Sequence, residues 1–596
     1  MELDQERKKE KRRKIIFWIL IIGSAAAALK CIFVSLQMDE EYAISMSYRL
    51  LRGDRLLAQL WDPHQTSAFM IEFLMWVYVM LFHTTTYSVL FIRLAGVIMQ
   101  GIIAWQLYRT FSLILDKEKS FYLAIVYFNL LPKGYVMPEF SNMMVWSLTM
   151  LLICLTRLYL LEESGGWNRK ILWKSVEAGL WLCLLVLSYP SCVIVYPFIL
   201  IYLLCYDKFR MRTAGMVTGV CALSGVAYLG VLLSYMTPLQ MTANIQSLIA
   251  SCGSHSRTIW QTLHVYAGDI ASGILFALFY MAVTVLVMFF LEREGLKYLV
   301  LNLFGKAEKE EGKREKYVIT FQFLFLIVSF ILQFVHWILM RWQYESSYPF
   351  TVYFFLFGFA IYTIYRKKKL NGNKKFSAMS FLWIGSNLVM FLAILMLTNL
   401  TIFTSVKYLM PGVTAGAAIL ILYAMEKNPE TYRKYAGMTL VVWCLVAIFV
   451  KGWAYPDNDG LMKNITCVGN ILREGPGKGI LTEYMQGYMQ KSNDAEFHTY
   501  IKPGDKLLVM DSNTLCYLYQ DVNISAASTI CTPTFDANLL DYWKRNPDKY
   551  PTVIAVECWY GELKYDENSW MMKWIDKDYG AKQVINGKYF RYYIRR

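Results

Sequence analysis

The chain has 596 residues, 56% of them hydrophobic and 16% aromatic, with a formal charge of +15. Apolar runs of about 18 residues or more recur along it, long enough to cross a hydrocarbon core of about 30 Å, so a large soluble core is excluded. The positive balance calls for no nucleic-acid partner, because basic cytoplasmic loops of a membrane protein give the same total.

The first run, Ile15 to Leu36, is too long for a cleavable signal peptide and lacks a small-residue cleavage site. Directly after it stands Asp39-Glu40-Glu41-Tyr42, and later Trp61-Asp62-Pro63-His64-Gln65-Thr66-Ser67. Carboxylates at the mouth of a membrane helix are costly to hold near hydrocarbon. They point to chemistry at a membrane surface, where a lipid-borne substrate could meet a water-borne one. The segment Ala68 to Phe82 is short and carries Glu72, and it reads as a juxtamembrane helix. The further spans are 88–109, 119–136, 140–161, 171–188, 191–206, 213–235, 265–291, 317–340, 349–365, 376–398, 405–425 and 435–452. With the first that makes thirteen.

With this count, Asp116-Lys117-Glu118-Lys119, Lys306 to Lys316 and Arg366-Lys367-Lys368-Lys369 fall on one side, which the positive-inside rule makes cytoplasmic. The Asp39 loop is then external, and so is the tail. The expected fold class is a polytopic α-helical membrane protein. Residues 1–452 form the transmembrane domain, with an external loop 37–87 bearing juxtamembrane helices, and residues 453–596 form a small extracytoplasmic α/β domain.

In that tail, Lys506-Leu-Leu-Val-Met510 and Thr552-Val-Ile-Ala-Val556 are short runs of β-formers, and Ala537 to Lys544 reads as helix between them. Strands alternating with helices imply some parallel sheet. Gly475-Pro476-Gly477-Lys478-Gly479 is a turn-rich linker, not a phosphate loop. The twelve cysteines show no CxxC spacing. A disulfide among Cys467, Cys516, Cys531 and Cys558 is open, with no pairing favoured by sequence.

Transfer to a hydroxyl or amine needs a base for the acceptor proton and cations for a leaving phosphate. Asp39, at the rigid end of a span, is the candidate base; the alternative is an idle interfacial cap. Three successive acids cannot all face one pocket, so Glu40 or Glu41 is structural; Glu40 stands beside Asp39 as a further catalytic candidate. Glu139, in the short external turn Tyr135-Val-Met-Pro-Glu-Phe-Ser-Asn142, is a second candidate, or else an acid that stabilises a helix start. Asp62 and His64 share the Asp39 loop. His64 could contact phosphate or acceptor, or serve only the loop; with no second ligand at metal spacing, no zinc site is expected. External cations are Arg49, Arg52, Arg55, Arg93, Lys133, Arg257, Arg341, Lys407 and Lys451. Snorkelling to headgroups is their default. Lys407, with Tyr408 beside it, Arg341 and Arg93 are the candidates for phosphate.

These residues resemble the GT-C superfamily of glycosyltransferases, above all the protein O-mannosyltransferases and the bacterial aminoarabinose transferases of lipid A. The resemblance rests on Asp39-Glu40 after the first helix, Asp62-Pro63-His64-Gln65 before a juxtamembrane helix, and Arg93 opening the next helix. Glu139 in the second external turn and Lys407-Tyr408 before Pro411 complete it. The chain departs from the usual acid-Lys-Pro-Pro or His-Pro-Pro-Leu motif, so the lysine that holds lipid phosphate in the aminoarabinose enzymes is absent, and Glu139 stands where Asp is common. The resemblance implies a multi-pass bacterial cell-membrane enzyme with a cytoplasmic N-terminus. Its donor would be a polyprenyl-phosphate-linked sugar, its acceptor extracytoplasmic, with inversion at the anomeric carbon and no cofactor or metal. The rival readings are a transporter or flippase, for which no paired half-repeats are visible, and a non-catalytic envelope scaffold.

The charge bias carries a topological prediction. A cysteine placed at Asp459 is labelled from outside the cell, and one placed at Lys368 is not. Labelling of both, or the reverse pattern, contradicts the thirteen-span reading.

Overall fold

The computed structural model describes residues 2–130, 132–163, 165–253, 257–303, 311–339, 352–369, 374–456, 462–533 and 536–596. The chain opens with α1 (Glu2–Phe33), α2 (Met38–Leu51), α3 (Phe69–Phe82), α4 (Ser88–Phe111), α5 (Lys117–Asn129), α6 (Phe140–Glu163) and α7 (Arg169–Ser188). A helical bundle continues to Trp453, and α1 packs on its last helix, Gly437–Trp453. Eleven helices among the described residues are long and apolar enough to cross a membrane, which makes this an integral membrane protein.

Eleven differs from the expected thirteen, for local reasons. The 119–136 run yields only α5, which stops at Asn129 ahead of Pro132-Lys133-Gly134. The 191–206 run begins with a 3-10 turn at Pro190–Ile194, leaving a helix of 12 residues, Val195–Tyr206. The 349–365 run gives Val352–Lys369, whose last turn is basic, and residues 340–351 lie outside the described residues. Conversely Gln65–Phe82 has the length and hydropathy of a span. Yet both its ends meet the same end of the molecule: Thr66 Oγ1 donates to the Leu187 carbonyl (2.6 Å) at the close of α7, and Thr85 Oγ1 to that of Leu518 (3.2 Å) in the C-terminal domain. α3 therefore runs along that end of the bundle.

At the opposite end the basic loops meet one another. Arg13 pairs with Glu118 (3.5 Å), Lys316 with Glu430 (2.7 Å), Arg366 with Glu315 (3.4 Å) and Lys375 with Glu163 (3.4 Å). The loops grouped by charge in the sequence are thus grouped in space.

The C-terminal domain carries a sheet in the order Asn523–Ile524, Lys506–Met510, Val553–Trp559, Phe590–Ile594, Gln583–Asn586. The first three strands are parallel and the last two antiparallel. Leu507 to Met510 and Val553 to Val556 are buried, as their β-branched and aliphatic composition asks, and the helix between them is Leu539–Arg545. Cys467, Cys516, Cys531 and Cys558 are all free thiols.

This domain sits on the 37–87 loop. Ser45 Oγ donates to the Thr514 carbonyl (2.7 Å), Trp61 N to that of Ala527 (2.9 Å), and buried Arg49 to Tyr542 Oη (2.8 Å) while pairing with Asp54. A helix not singled out in the sequence, Pro238–Gly253, lies at the same end: Asn244 Nδ2 donates to the Leu57 carbonyl (2.8 Å) and Asn244 Oδ1 accepts from Arg545 (2.9 Å).

α4 reaches the turn before α6 through Gly96. A Cβ there would lie 2.8 Å from Met137 Cα and from the Val136 carbonyl oxygen, which are backbone atoms and cannot swing away. Gly96→Ala is expected to cost about 1–3 kcal/mol by overpacking, whereas Gly219→Ala, in open space, is near neutral. Thermal unfolding of the two variants in detergent checks this.

Candidate functional site

The site is built where α1 hands over to α2. α1 ends at Phe33, and Ser35 turns the chain with a left-handed φ of 67°. Gln37 then caps α2, its side-chain oxygen accepting from Asp39 N at 2.8 Å. The first turn of α2 is Asp39, Glu40 and Glu41, which suits the positive end of a helix dipole.

The three acids go to three places. Glu40 is fully buried against Arg93 of α4: Nε donates to Oε1 (2.6 Å) and Nη2 to Oε2 (2.5 Å). The same guanidinium donates to the carbonyls of Ile32 (3.0 Å), Val34 (3.4 Å) and Ser35 (2.5 Å), the unsatisfied end of α1. Both residues were candidates for the reaction, one as acid and one as phosphate ligand. The geometry places them instead in a clamp that fixes the α1–α2 turn. Glu41 faces the C-terminal domain, where burial and nearby Asp511 push its carboxyl up to about 8.

Asp39 alone turns toward the bundle. Its Oδ2 accepts from Lys133 Nζ at 2.7 Å, and its side chain keeps 27% of its surface open. Lys133 also lies 3.9 Å from Glu139 Oε2 and 3.9 Å above the Phe140 ring. Gly134 beside it has φ +78°, and a Cβ there would meet Pro456 at 3.1 Å, so glycine lets the turn fold under the C-terminal domain. Glu139 is fully buried and accepts from Ser141 N and Asn142 N, both at 2.8 Å, the bonding of a cap on α6. Its carboxyl and that of Asp39 are pushed apart. Burial raises Glu139 above the ordinary carboxylate value despite Lys133. For Asp39 burial is more than offset by Lys133 and Lys407, which hold it below that value. Asp39 is thus held ionised by its cationic neighbours.

His64 stacks flat on Phe140 (centroids 3.9 Å apart, 5° between planes) and leans on Tyr189. Its buried Nδ1 has no hydrogen-bond partner, and burial with the Lys133 charge lowers the ring to about 4, so the imidazole is neutral at physiological pH. Asp62 is fully buried and used structurally: Oδ2 accepts from Ser528 Oγ (2.8 Å) and Oδ1 from His64 N (3.3 Å), with burial raising it to about 6. Lys407 sits in the 3-10 turn Val406–Leu409, its ammonium 5.6 Å from the Tyr408 ring. Tyr408 Oη and Ser141 Oγ are 3.2 Å apart. Arg341 lies outside the described residues. Asp39, Glu139, His64, Lys407 and Tyr408 are thus gathered at one end. Lys133 joins them, a residue the sequence marks only as one external cation among several. Its signal was its place in the same short turn as Glu139. Among the described residues no group of three or more His, Cys, Asp or Glu is placed to hold a metal ion.

No protein-family model and no curated protein matches the chain. Among solved structures it is similar to the oligosaccharyltransferase of Archaeoglobus fulgidus. With the complex containing zinc and sulfate the identity is 13% and the TM-score 0.42, over 74% of this chain and 53% of that one. With the AglB complex containing an inhibitory peptide and a dolichol-phosphate they are 11% and 0.43, over 92% and 70%. With the apo form they are 13% and 0.44, over 91% and 69%. The chain spans about half the length of the first of these. Likeness at this level carries no correspondence of residues.

The clamp and the site are separable by mutation. Glu40→Gln leaves the Arg93 guanidinium buried without its counter-ion, and breaking such a pair costs about 3–5 kcal/mol. Asp39→Asn removes a partly open pair and costs far less. Unfolding midpoints of the two variants in detergent distinguish them; equal midpoints would remove the clamp from the account.

Proposed function

We propose that the chain is a membrane glycosyltransferase of the GT-C type, moving a sugar from a polyprenyl-phosphate donor to an extracytoplasmic acceptor with inversion. The observation that carries the reading is the ionised carboxylate of Asp39, partly open, hydrogen-bonded to Lys133 and in the field of Lys407, at the end of the bundle covered by the C-terminal domain. The basic loops at the opposite end support a cytoplasmic assignment for that side.

Asp39 takes the proton of an acceptor hydroxyl or amine as that atom attacks the anomeric carbon. The bond from that carbon to the phosphate oxygen breaks from the opposite face, and the lipid phosphate leaves as an anion. Lys133 stays paired with Asp39 and holds that carboxylate ionised and in place for the acceptor. Lys407 and the neutral His64 imidazole supply the donors for the phosphate, and Glu139 keeps α6 and the Lys133 turn in place.

Two outcomes follow from these roles. A positioned base contributes about 10²–10⁴-fold, so Asp39→Asn lowers transfer by at least about 10² and retains donor binding. Near wild-type transfer would leave Asp39 as a helix-end carboxylate. Lys407→Met weakens binding of a short-chain polyprenyl-phosphate to the purified protein, and Lys407→Arg keeps part of it, because charge-assisted hydrogen bonds are about twice as strong as neutral ones. Unchanged affinity in Lys407→Met would take this lysine out of the site.

A further inference from the structure

The C-terminal domain holds a second feature, a cavity of about 370 Å³ between the strand Asn470–Ile471, the turn at Gly475 and the helix Tyr484–Tyr500. That volume is in the range of small-ligand sites, which combine apolar or aromatic surface with a few polar groups. Tyr484, 65% exposed, lines the cavity together with Tyr488, and the two rings are parallel to within 4° with centroids 6.4 Å apart. Around them the wall is polar. Glu474 and buried Asp494 offer acceptors, while Arg473 and Lys491 offer donors. The wall thus offers donors and acceptors side by side, with the Lys588 ammonium against the Tyr488 ring (4.0 Å).

Two buried groups on this wall are poorly used. Gln490 is 6% exposed, and its Nε2 reaches Glu41 Oε1 and Asn513 Oδ1 only at 3.5 Å each. The Tyr519 hydroxyl, on a side chain 7% exposed, has no hydrogen bond beyond a loose contact with the Cys516 thiol. Buried polar groups left in this state favour a ligand that completes them.

We propose that this cavity binds a saccharide, the C–H face of a pyranose lying on the Tyr484–Tyr488 surface and its hydroxyls meeting Gln490, Asp494 and Lys491. A polyol suits a wall rich in both donors and acceptors. The same helix is tied to the turn that carries Asp39, since Gln486 Nε2 donates to the Leu36 carbonyl at 3.1 Å and Ser35 N to that of Leu481, just before the helix, at 2.7 Å. The site thus serves as the docking place of a glycan acceptor. That role rests on the transfer reading, whereas the binding itself does not.

The test is calorimetric titration of the full chain in nanodiscs, free of glycoside detergents, with mannotriose, chitotriose and maltotriose. At least one binds, and Tyr484→Ala and Gln490→Ala each weaken it at least tenfold. Tyr484→Ala, at an exposed position, keeps the wild-type unfolding midpoint. Asp39→Asn leaves the saccharide affinity unchanged, so failure of the transfer reading and failure of this one come out separately. Binding of none of the three, or binding that survives both cavity variants, overturns the proposal.

Discussion

Arg93 holds the end of α1 and the start of α2 in one grip, and the geometry of the whole site follows from it. A guanidinium with five donors in a fixed fork can satisfy three helix-end carbonyls and one carboxylate at once; a lysine cannot. With Glu40 taken into that grip, helical spacing sends Asp39 and Glu41 to different sides of α2. One meets Lys133 at the mouth of the bundle, and the other meets the C-terminal domain. The cost of burying the pair is offset by the number of backbone groups it satisfies, and its return is position rather than stability.

The same end of the molecule concentrates the remaining polar groups. Lys133 stands between Asp39 and Glu139, with Phe140 beneath it and His64 stacked on that ring. The aromatic floor excludes water from part of the cluster, which strengthens every charge interaction above it. Pro238–Gly253 and the C-terminal domain close over the loop that brings His64 in, so the arrangement depends on segments far apart in the chain.

Much of this was legible in the sequence, for identifiable reasons. Carboxylates at a span end stand out because hydrocarbon makes them expensive, and this marked Asp39. The grouping of basic loops followed from charge alone. The strands at Lys506–Met510 and Val553–Trp559 were visible because buried parallel strands are continuous apolar runs. Other features were not legible. A lysine at a span end is by default a headgroup ligand, so Lys133 gained its meaning only when the 132–139 turn folded back onto α2. Glu40 and Arg93 were each conspicuous, yet nothing local says that residues 53 apart in the chain neutralise each other. Among the described residues eleven helices have span length where the sequence suggests thirteen, because Pro132-Lys133-Gly134 and the 3-10 turn at Pro190 interrupt apolar runs that hydropathy averages over.

The claim on which the account turns is that Lys133 acts through Asp39, as partner of one reacting carboxylate. A double-mutant cycle tests it directly. Sugar transfer from polyprenyl-phosphate-linked donors is measured for Asp39→Asn, for Lys133→Met and for the two together. The account predicts that the double variant is no slower than Asp39→Asn alone. Losses that multiply would contradict it, and would make the pair two unrelated charges at the end of a bundle.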